Sequence, residues 1–163
     1  MRPEVILAFD TSAAHCAAAL LLPGGRVLTR LEPMEKGQAE RLMPLLEELL
    51  REAGLGWSDL TRLAVGTGPG NFTGVRISVA AARGLALGLG IPAVGITRLE
   101  ALAFGLPRPI TVVEDARRGE VYVQGFGTET SEALLMDGSD LAHVVETAHV
   151  TGSAAGPAGL PAA

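Results

Sequence analysis

The sequence predicts an α/β protein: a first lobe with a mixed β-sheet and flanking helices, then a shortened second lobe. Three observations lead to this prediction. Strand patterns alternate with helical patterns over the first 105 residues. Hydrophobic residues make up 48% of the 163 residues but aromatic ones only 4%, so the core is expected to consist of Leu, Val, Ile and Ala. The 21 glycines fall mostly between these patterns, where turns are expected.

The chain opens with the pattern of an antiparallel hairpin. The continuous apolar run at residues 5–9 is typical of a buried central strand. Residues 17–22 and 26–31 predict the next two strands, joined by the turn Pro23-Gly24-Gly25. Three antiparallel strands are therefore expected to begin the sheet.

Helices and strands then alternate. Residues 38–53 predict a helix, because leucines recur at helical spacing and charged residues occupy the other side, and Gly54 is placed to end it. Further elements follow in the order strand, helix, strand and short helix, at residues 60–65, 75–89, 93–96 and 98–104. Such an order predicts a mixed sheet covered on both faces.

This order of elements is that of the ribonuclease H-like lobe shared by actin, Hsp70 and sugar kinases. Residues 1–105 are therefore predicted as such a lobe. Residues 106–150 are expected to form a partial second lobe, with strands at 110–113 and 120–126. Residues 151–163 are expected to be a flexible Ala/Gly/Pro tail.

Charge and composition exclude several functions. The net charge is -5 without any run of Lys and Arg, so the chain alone should bind RNA poorly. A single cysteine, Cys16, excludes an internal disulfide, and His15, His143 and His149 lack metal-ligand spacing. Arg83, Pro92 and several glycines interrupt the most apolar stretch, residues 79–96. We expect a cytoplasmic protein with no bound metal and no membrane contact.

The glycine-rich loop at residues 66–74 is the first candidate for an anion site, because it connects a strand to a helix N-terminus. It lacks both the spacing of a dinucleotide fingerprint and the lysine of a P-loop. A tight turn and an anion site are equally compatible with it. The candidate phosphate-binding residues here are Gly68, Gly70 and Asn71.

Two further segments are candidates for handling phosphate. Asp10, Thr11 and Ser12 end the first strand, although an Asp there is more often a turn former or cap. Arg117 and Arg118, at the start of the second lobe, are adjacent cations suited to phosphate, although the segment also reads as a charged hairpin turn.

The helix predicted at residues 75–89 is apolar nearly all round and rich in Ala and Gly. Such a helix has to be covered on almost every side. Burial within the domain or a helix-to-helix interface would both achieve this. The wide apolar stripe of residues 38–53 makes that helix the natural neighbour in an interface.

Four motifs, in this order, resemble the TsaB (YeaZ) family: ILAFDTS at residues 6–12, QAERLMP at 38–44, GTGPGNFTGVR at 66–76 and DARRGEVY at 115–122. The glycine-loop motif is the specific one. The resemblance covers about the first 125 residues. It departs at Gln38-Ala39, where many relatives have His-Ser, and in the short second lobe.

The resemblance implies a non-catalytic subunit. Family members pair with a larger TsaD-type paralogue that transfers threonylcarbamoyl to adenosine 37 of tRNA, and they work with an ATPase of the same complex. The paralogue's metal-binding His-x-Glu-x-His is matched here by Arg98-Leu99-Glu100-Ala101-Leu102, where neither end can bind a metal. No catalytic residue is therefore expected in this chain.

The resemblance also implies a partner interface on the two first-lobe helices. We expect it at Leu42, Leu46, Val75, Ile77, Ala81 and Leu85. Alone, the chain would use the same surface to form a homodimer, and tRNA would be contacted only indirectly. No cofactor is expected to bind tightly, with ATP or ADP bound in the complex.

Two other functions compete with this one. A stand-alone ATP-dependent phosphotransferase of the actin-like class would need a complete second lobe to close over the nucleotide. A peptidase, the older label of the family, would need a Ser-His-Asp, Cys-His or metal-ligand spacing that the sequence does not show.

Overall fold

A computed structural model describes residues 3–143, 145 and 149–155 of the chain. The chain divides into two compact units, residues 1–97 and 98–163. This boundary lies before the short helix, whereas the sequence placed it after residue 105. The helix packs on strands of the second unit and belongs to that unit's core.

The first unit is a five-stranded mixed sheet with two helices. Its strands, in sheet order, are β3 (Val27–Pro33), β2 (His15–Leu21), β1 (Ile6–Asp10), β4 (Arg62–Gly66) and β5 (Ala93–Ile96). The first three are antiparallel, and β1, β4 and β5 are parallel. The predicted hairpin and the parallel continuation are both present.

Helices α1 (Gln38–Glu52) and α2 (Phe72–Leu89) follow β3 and β4. Leu42, Leu45, Leu46 and Leu49 of α1 pack with alternate residues of β1, β2 and β4 in one hydrophobic core. Ala82 of α2 belongs to the same core, so both helices cover the same face of the sheet. The prediction that helices cover both faces is wrong for this unit, because residues such as Ala8 and Ala19 on the other face are only half-buried.

Local signals explain where the helices begin and end. Gly54, with φ +70°, follows the last turn of α1 as predicted. α2 begins three residues earlier than expected, because Asn71 caps it: the Asn71 Oδ1 accepts the Gly74 N–H at 3.1 Å. A short 3₁₀ helix at Trp57–Asp59, which the sequence did not predict, precedes β4.

The second unit has α3 (Arg98–Ala103) and a four-stranded sheet in the order β8-β7-β6-β9. These strands are β6 (Ile110–Arg117), β7 (Glu120–Phe126), β8 (Leu134–Asp137) and β9 (Val150–Thr151). A 3₁₀ helix, Gly138–His143, follows β8.

The start of the predicted flexible tail is ordered. Thr151 lies in β9, which pairs in parallel with β6, and Ala154 and Ala155 are buried. The tail prediction is therefore wrong for residues 151–155, and residues 156–163 lie outside the described residues. The sequence also missed β8 and β9, which are only four and two residues long.

Candidate functional site

The Asp10 carboxylate is the centre of a small polar cluster at the end of β1. Its Oδ1 accepts the Ser12 N–H at 3.0 Å, and its Oδ2 accepts the Ser12 hydroxyl at 2.9 Å. The His15 Nε2 lies 3.3 Å from the same Oδ2. Asp10 thus closes its own turn, which is the turn-forming role that the sequence left open.

The glycine-rich loop packs directly against this turn. A Cβ at Gly70 would overlap the Ser12 carbonyl oxygen, and one at Gly74 would overlap that of Thr11. The Thr11 hydroxyl donates to the Gly74 carbonyl oxygen at 2.6 Å. The structure therefore brings Asp10, Thr11 and Ser12 together with the loop, and the glycines permit this close backbone approach.

The same contacts occupy N–H groups that an anion would need. The Asn71 N–H donates to the Ser12 carbonyl oxygen at 2.6 Å, and the Gly74 and Val75 N–H groups donate to Asn71. Gly68 has φ +83°, and a Cβ there would press on Val75. This arrangement favours a packing turn over a phosphate cradle, and it gives Asn71 a capping role.

Arg117 and Arg118 lie in the second unit, at the tip of the β6–β7 hairpin. Both are exposed, and both have positive φ, +69° and +57°. The other candidate phosphate-binding residues all belong to the first unit.

Neither Ser12 nor Cys16 has the surroundings of an activated nucleophile. The Ser12 hydroxyl donates to Asp10 rather than facing His15, and Ser12 is buried. Cys16 is fully buried, and burial raises the pKa of its thiol to about 11. Cys16 therefore packs as a small apolar residue.

Helix α2 carries a large exposed face. Only Gly74, Ser78 and Ala82 of its 18 residues are buried. We call its exposed stripe the α2 outer face, formed by Phe72, Arg76, Ala80, Arg83, Gly84, Leu87 and Gly88. By length and composition α2 could also cross a membrane, but one such helix is weak evidence.

The α2 outer face combines large apolar side chains with open glycines. Phe72 and Leu87 are 67% and 87% exposed, and the Arg76 guanidinium lies 3.8 Å from the centre of the Phe72 ring. A Cβ at Gly84 or Gly88 would meet nothing within 4 Å. Glycine inside a helix costs about 1 kcal/mol relative to alanine, and nothing in the described residues of this chain makes use of it.

The interface residues predicted from the sequence differ in how far the structure exposes them. Leu42 and Leu46 are buried in the core of the first unit, so their side chains are already covered. Ile77, Ala81 and Leu85 are half-buried and pack against that core, and Val75 is half-buried. The α2 outer face, which includes Leu87, is more exposed than these residues and was not part of the predicted interface.

Arg98 and Leu102, in the helix after β5, both make contacts inside the second unit. The Arg98 Nε lies 2.6 Å from the Oε2 of the buried Glu114, whose Oε1 accepts the Ser153 N–H at 2.6 Å. Leu102 packs against the core that contains Leu99. Across the described residues no group of three or more His, Cys, Asp or Glu side chains is arranged to hold a metal ion.

Comparison with known proteins places these features in a family. The family model described as "TsaD: tRNA N6-adenosine threonylcarbamoyltransferase" matches residues 32–152. The tRNA threonylcarbamoyladenosine biosynthesis protein TsaB of Escherichia coli (strain K12) is 38% identical over 122 residues, covering 72% of this chain and 52% of its own. TsaB of Haemophilus influenzae is 39% identical over 127 residues, covering 75% and 53%. The chain spans about half the length of these curated relatives.

Solved structures agree with the sequence comparisons. YeaZ from Pseudomonas aeruginosa superposes with a TM-score of 0.81 at 30% identity, over 98% of this chain and 81% of that chain. Component A of the Acidaminococcus fermentans (R)-2-hydroxyglutaryl-CoA dehydratase has a TM-score of 0.53 at 13% identity, over 89% of this chain and 56% of that one, and shows the fold alone. These likenesses confirm the predicted ribonuclease H-like fold.

Proposed function

Since the chain belongs to the TsaB (YeaZ) family, we propose that it is a non-catalytic subunit. It pairs with a larger, metal-dependent TsaD-type paralogue and supports threonylcarbamoyl transfer to adenosine 37 of tRNA in the cytoplasm. The ATPase of the same complex is a further partner, and tRNA is contacted only through the partners. ATP or ADP is bound in the complex, and this chain holds no cofactor tightly.

The α2 outer face is the observation that carries this proposal. The large apolar side chains of Phe72 and Leu87 are exposed to solvent. Burying one such side chain contributes about 1.5–3 kcal/mol to the free energy of association. Ala80, Gly84 and Gly88 lie between them on the same stripe. Small residues there let a second helix approach closely, so the face suits a helix of a partner protein better than solvent.

The neighbourhood of α3 supports the non-catalytic part of the proposal. At the two places where the paralogue's pattern has metal-binding histidines, this chain has a guanidinium and an isobutyl group, neither of which offers a metal a lone pair. Arg98 forms an ion pair with Glu114, and Leu102 packs against the hydrophobic core of the second unit. Catalysis is therefore assigned to the partner.

A charge placed near the C-terminal end of the α2 outer face tests the pairing. Leu87→Glu should weaken the affinity of the chain for the purified TsaD-type paralogue at least tenfold, since a desolvated apolar contact at a hot spot is worth more than 1 kcal/mol. Leu135→Glu is the matched control, because Leu135 is an exposed leucine of the second unit. Titration calorimetry measures both, and equal affinity of the two variants would contradict the interface.

Gly84→Ala is a second test, in which the stability of the free protein and its affinity for the partner should change in opposite directions. Its Cβ meets nothing in the chain, so the free protein should be stabilised by up to about 1 kcal/mol. The same methyl group would hold a partner helix away and weaken the complex. A variant with a higher urea midpoint and a lower affinity is expected, whereas unchanged affinity would show that no helix packs closely at this position.

A further inference from the structure

The hairpin between β6 and β7 ends in an unusual turn. Arg117 pairs with Glu120 in register, so the loop has only two residues, Arg118 and Gly119. Both have positive φ, +57° and +85°, as in a type I′ turn. Arg117 itself has φ +69°, and its N–H donates to the Asp115 Oδ1 at 3.0 Å.

Arginine is a poor choice for this backbone. Two-residue type I′ turns favour Asn-Gly, because asparagine tolerates the left-handed region better than residues with longer side chains. Two consecutive arginines held there are a local outlier, and outliers of this kind point to a role for the side chains. Asparagine would adopt the backbone conformation of this turn more readily than arginine does.

The two side chains are free to bind something else. Both residues are exposed, and among the described residues neither guanidinium forms an ion pair. Each guanidinium presents a planar fork of donors that matches a carboxylate or a phosphate. The hairpin tip therefore offers two adjacent, unused anion-binding groups.

The surroundings of the tip select the kind of ligand. Asp115 and Glu120 flank the arginines, and Asp137 pairs with Glu120 in register on β8. A nucleic acid would bring further phosphates against these carboxylates, in a chain whose net charge is already -5. A protein surface can place carboxylates at the arginines and cations at the acidic rim. A small nucleotide would need a concave site, which an exposed tip does not provide.

From these observations we propose that the β6–β7 hairpin tip is a docking element for a protein partner whose surface carries carboxylates opposite Arg117 and Arg118. The inference rests on the proposed function, because the partner is a member of the same assembly. It adds an electrostatic contact on the second unit to the apolar contact on α2.

Arg118→Asn tests the docking element without disturbing the turn. Since asparagine suits the left-handed position, the variant should melt at the same or a higher temperature than the wild type. Its affinity for the assembly should fall about tenfold, measured by titration with the TsaD-type paralogue alone and with the paralogue and ATPase together. Arg118→Lys, which keeps the charge but lacks the fork, should fall in between. Raising the salt concentration should weaken the wild type more than Arg118→Asn.

The controls separate this proposal from the previous one. Arg26→Asn removes the same charge from another exposed turn and should leave affinity unchanged. If the wild type binds and Arg118→Asn binds equally well under both conditions, the docking element is wrong while the pairing stands. If Arg118→Asn loses only crosslinking to tRNA in the assembly, the ligand is RNA and the proposal is likewise wrong. A wild type that binds no member of the assembly overturns both proposals.

Discussion

Glycines in this chain serve two different purposes, which the space around each of them distinguishes. At Gly70 and Gly74 a side chain would overlap the backbone of Ser12 and Thr11, so these glycines allow the loop to lie against the end of β1. At Gly84 and Gly88 the surrounding space is empty. The first pair is required by contacts inside the chain, whereas a side chain at either glycine of the second pair would meet nothing among the described residues, as the proposed partner helix would require.

Gly74→Ala should therefore be one of the most destabilising single-methyl changes in the first unit. The new methyl group would displace backbone rather than a flexible side chain, and overpacking of this kind costs about 3 kcal/mol. Urea unfolding of the free chain measures the effect. Gly84→Ala, on the same helix, is the control and should not destabilise. Equal midpoints for the two variants would contradict the close packing of the loop.

At the scale of single elements, the sequence predicted that α2 exists but could not predict which side it exposes. A helix that is apolar all round has no polar face to fix its orientation, and two of the residues predicted for the interface, Ala81 and Leu85, pack partly against the core. For α1 the width of the apolar stripe was a poor guide to which side chains are exposed. Its wide apolar stripe predicted more apolar surface than the core of the unit would cover. All five leucines of the stripe are nevertheless buried: Leu42, Leu45, Leu46, Leu49 and Leu50.

A second element-scale feature is the ionic link between β3 and α1. The Arg41 guanidinium contacts both carboxylate oxygens of Glu32, at 2.6 and 2.7 Å, and both of Glu48, at 2.8 and 2.7 Å. The hydrogen bonds from Arg41 hold the pKa of both carboxyl groups below their ordinary value of 4.5. Arg30 and Glu52 form another ion pair between the same two elements.

The link predicts a pH-dependent contribution to stability. A carboxyl whose pKa is lower in the folded state stabilises the fold above its ordinary pKa, and loses that contribution as the pH falls through the lowered value. Arg41→Ala should therefore unfold at lower urea than the wild type at pH 7, and the difference should shrink below pH 4.5. A difference that stayed constant from pH 7 to pH 3 would show that Arg41 acts through packing alone.

At the scale of the whole molecule, the alternation of strands and helices was enough to predict the ribonuclease H-like lobe, because apolar periodicity and turn residues agree along the first 97 residues. The second unit was less predictable. Its short strands β8 and β9 have little periodicity, and Glu114, Arg98 and Ser153 are brought together only by the fold. In the same way, the role of the loop glycines depended on contacts with Thr11 and Ser12 that no local pattern reveals.

The proposed division of labour between this chain and a TsaD-type paralogue yields a prediction for the purified protein. Arg98 and Leu102 cannot bind a metal, so the purified chain should contain far less than one equivalent of zinc or iron and should transfer no threonylcarbamoyl to tRNA. A mixture of the wild-type chain and the paralogue should transfer threonylcarbamoyl to tRNA. In the same mixture Leu87→Glu should reduce that transfer in proportion to the loss of pairing. Elemental analysis and a tRNA modification assay measure the two quantities. One tightly bound metal ion per chain would contradict the first expectation, and transfer by the chain alone would show that it is itself a catalyst.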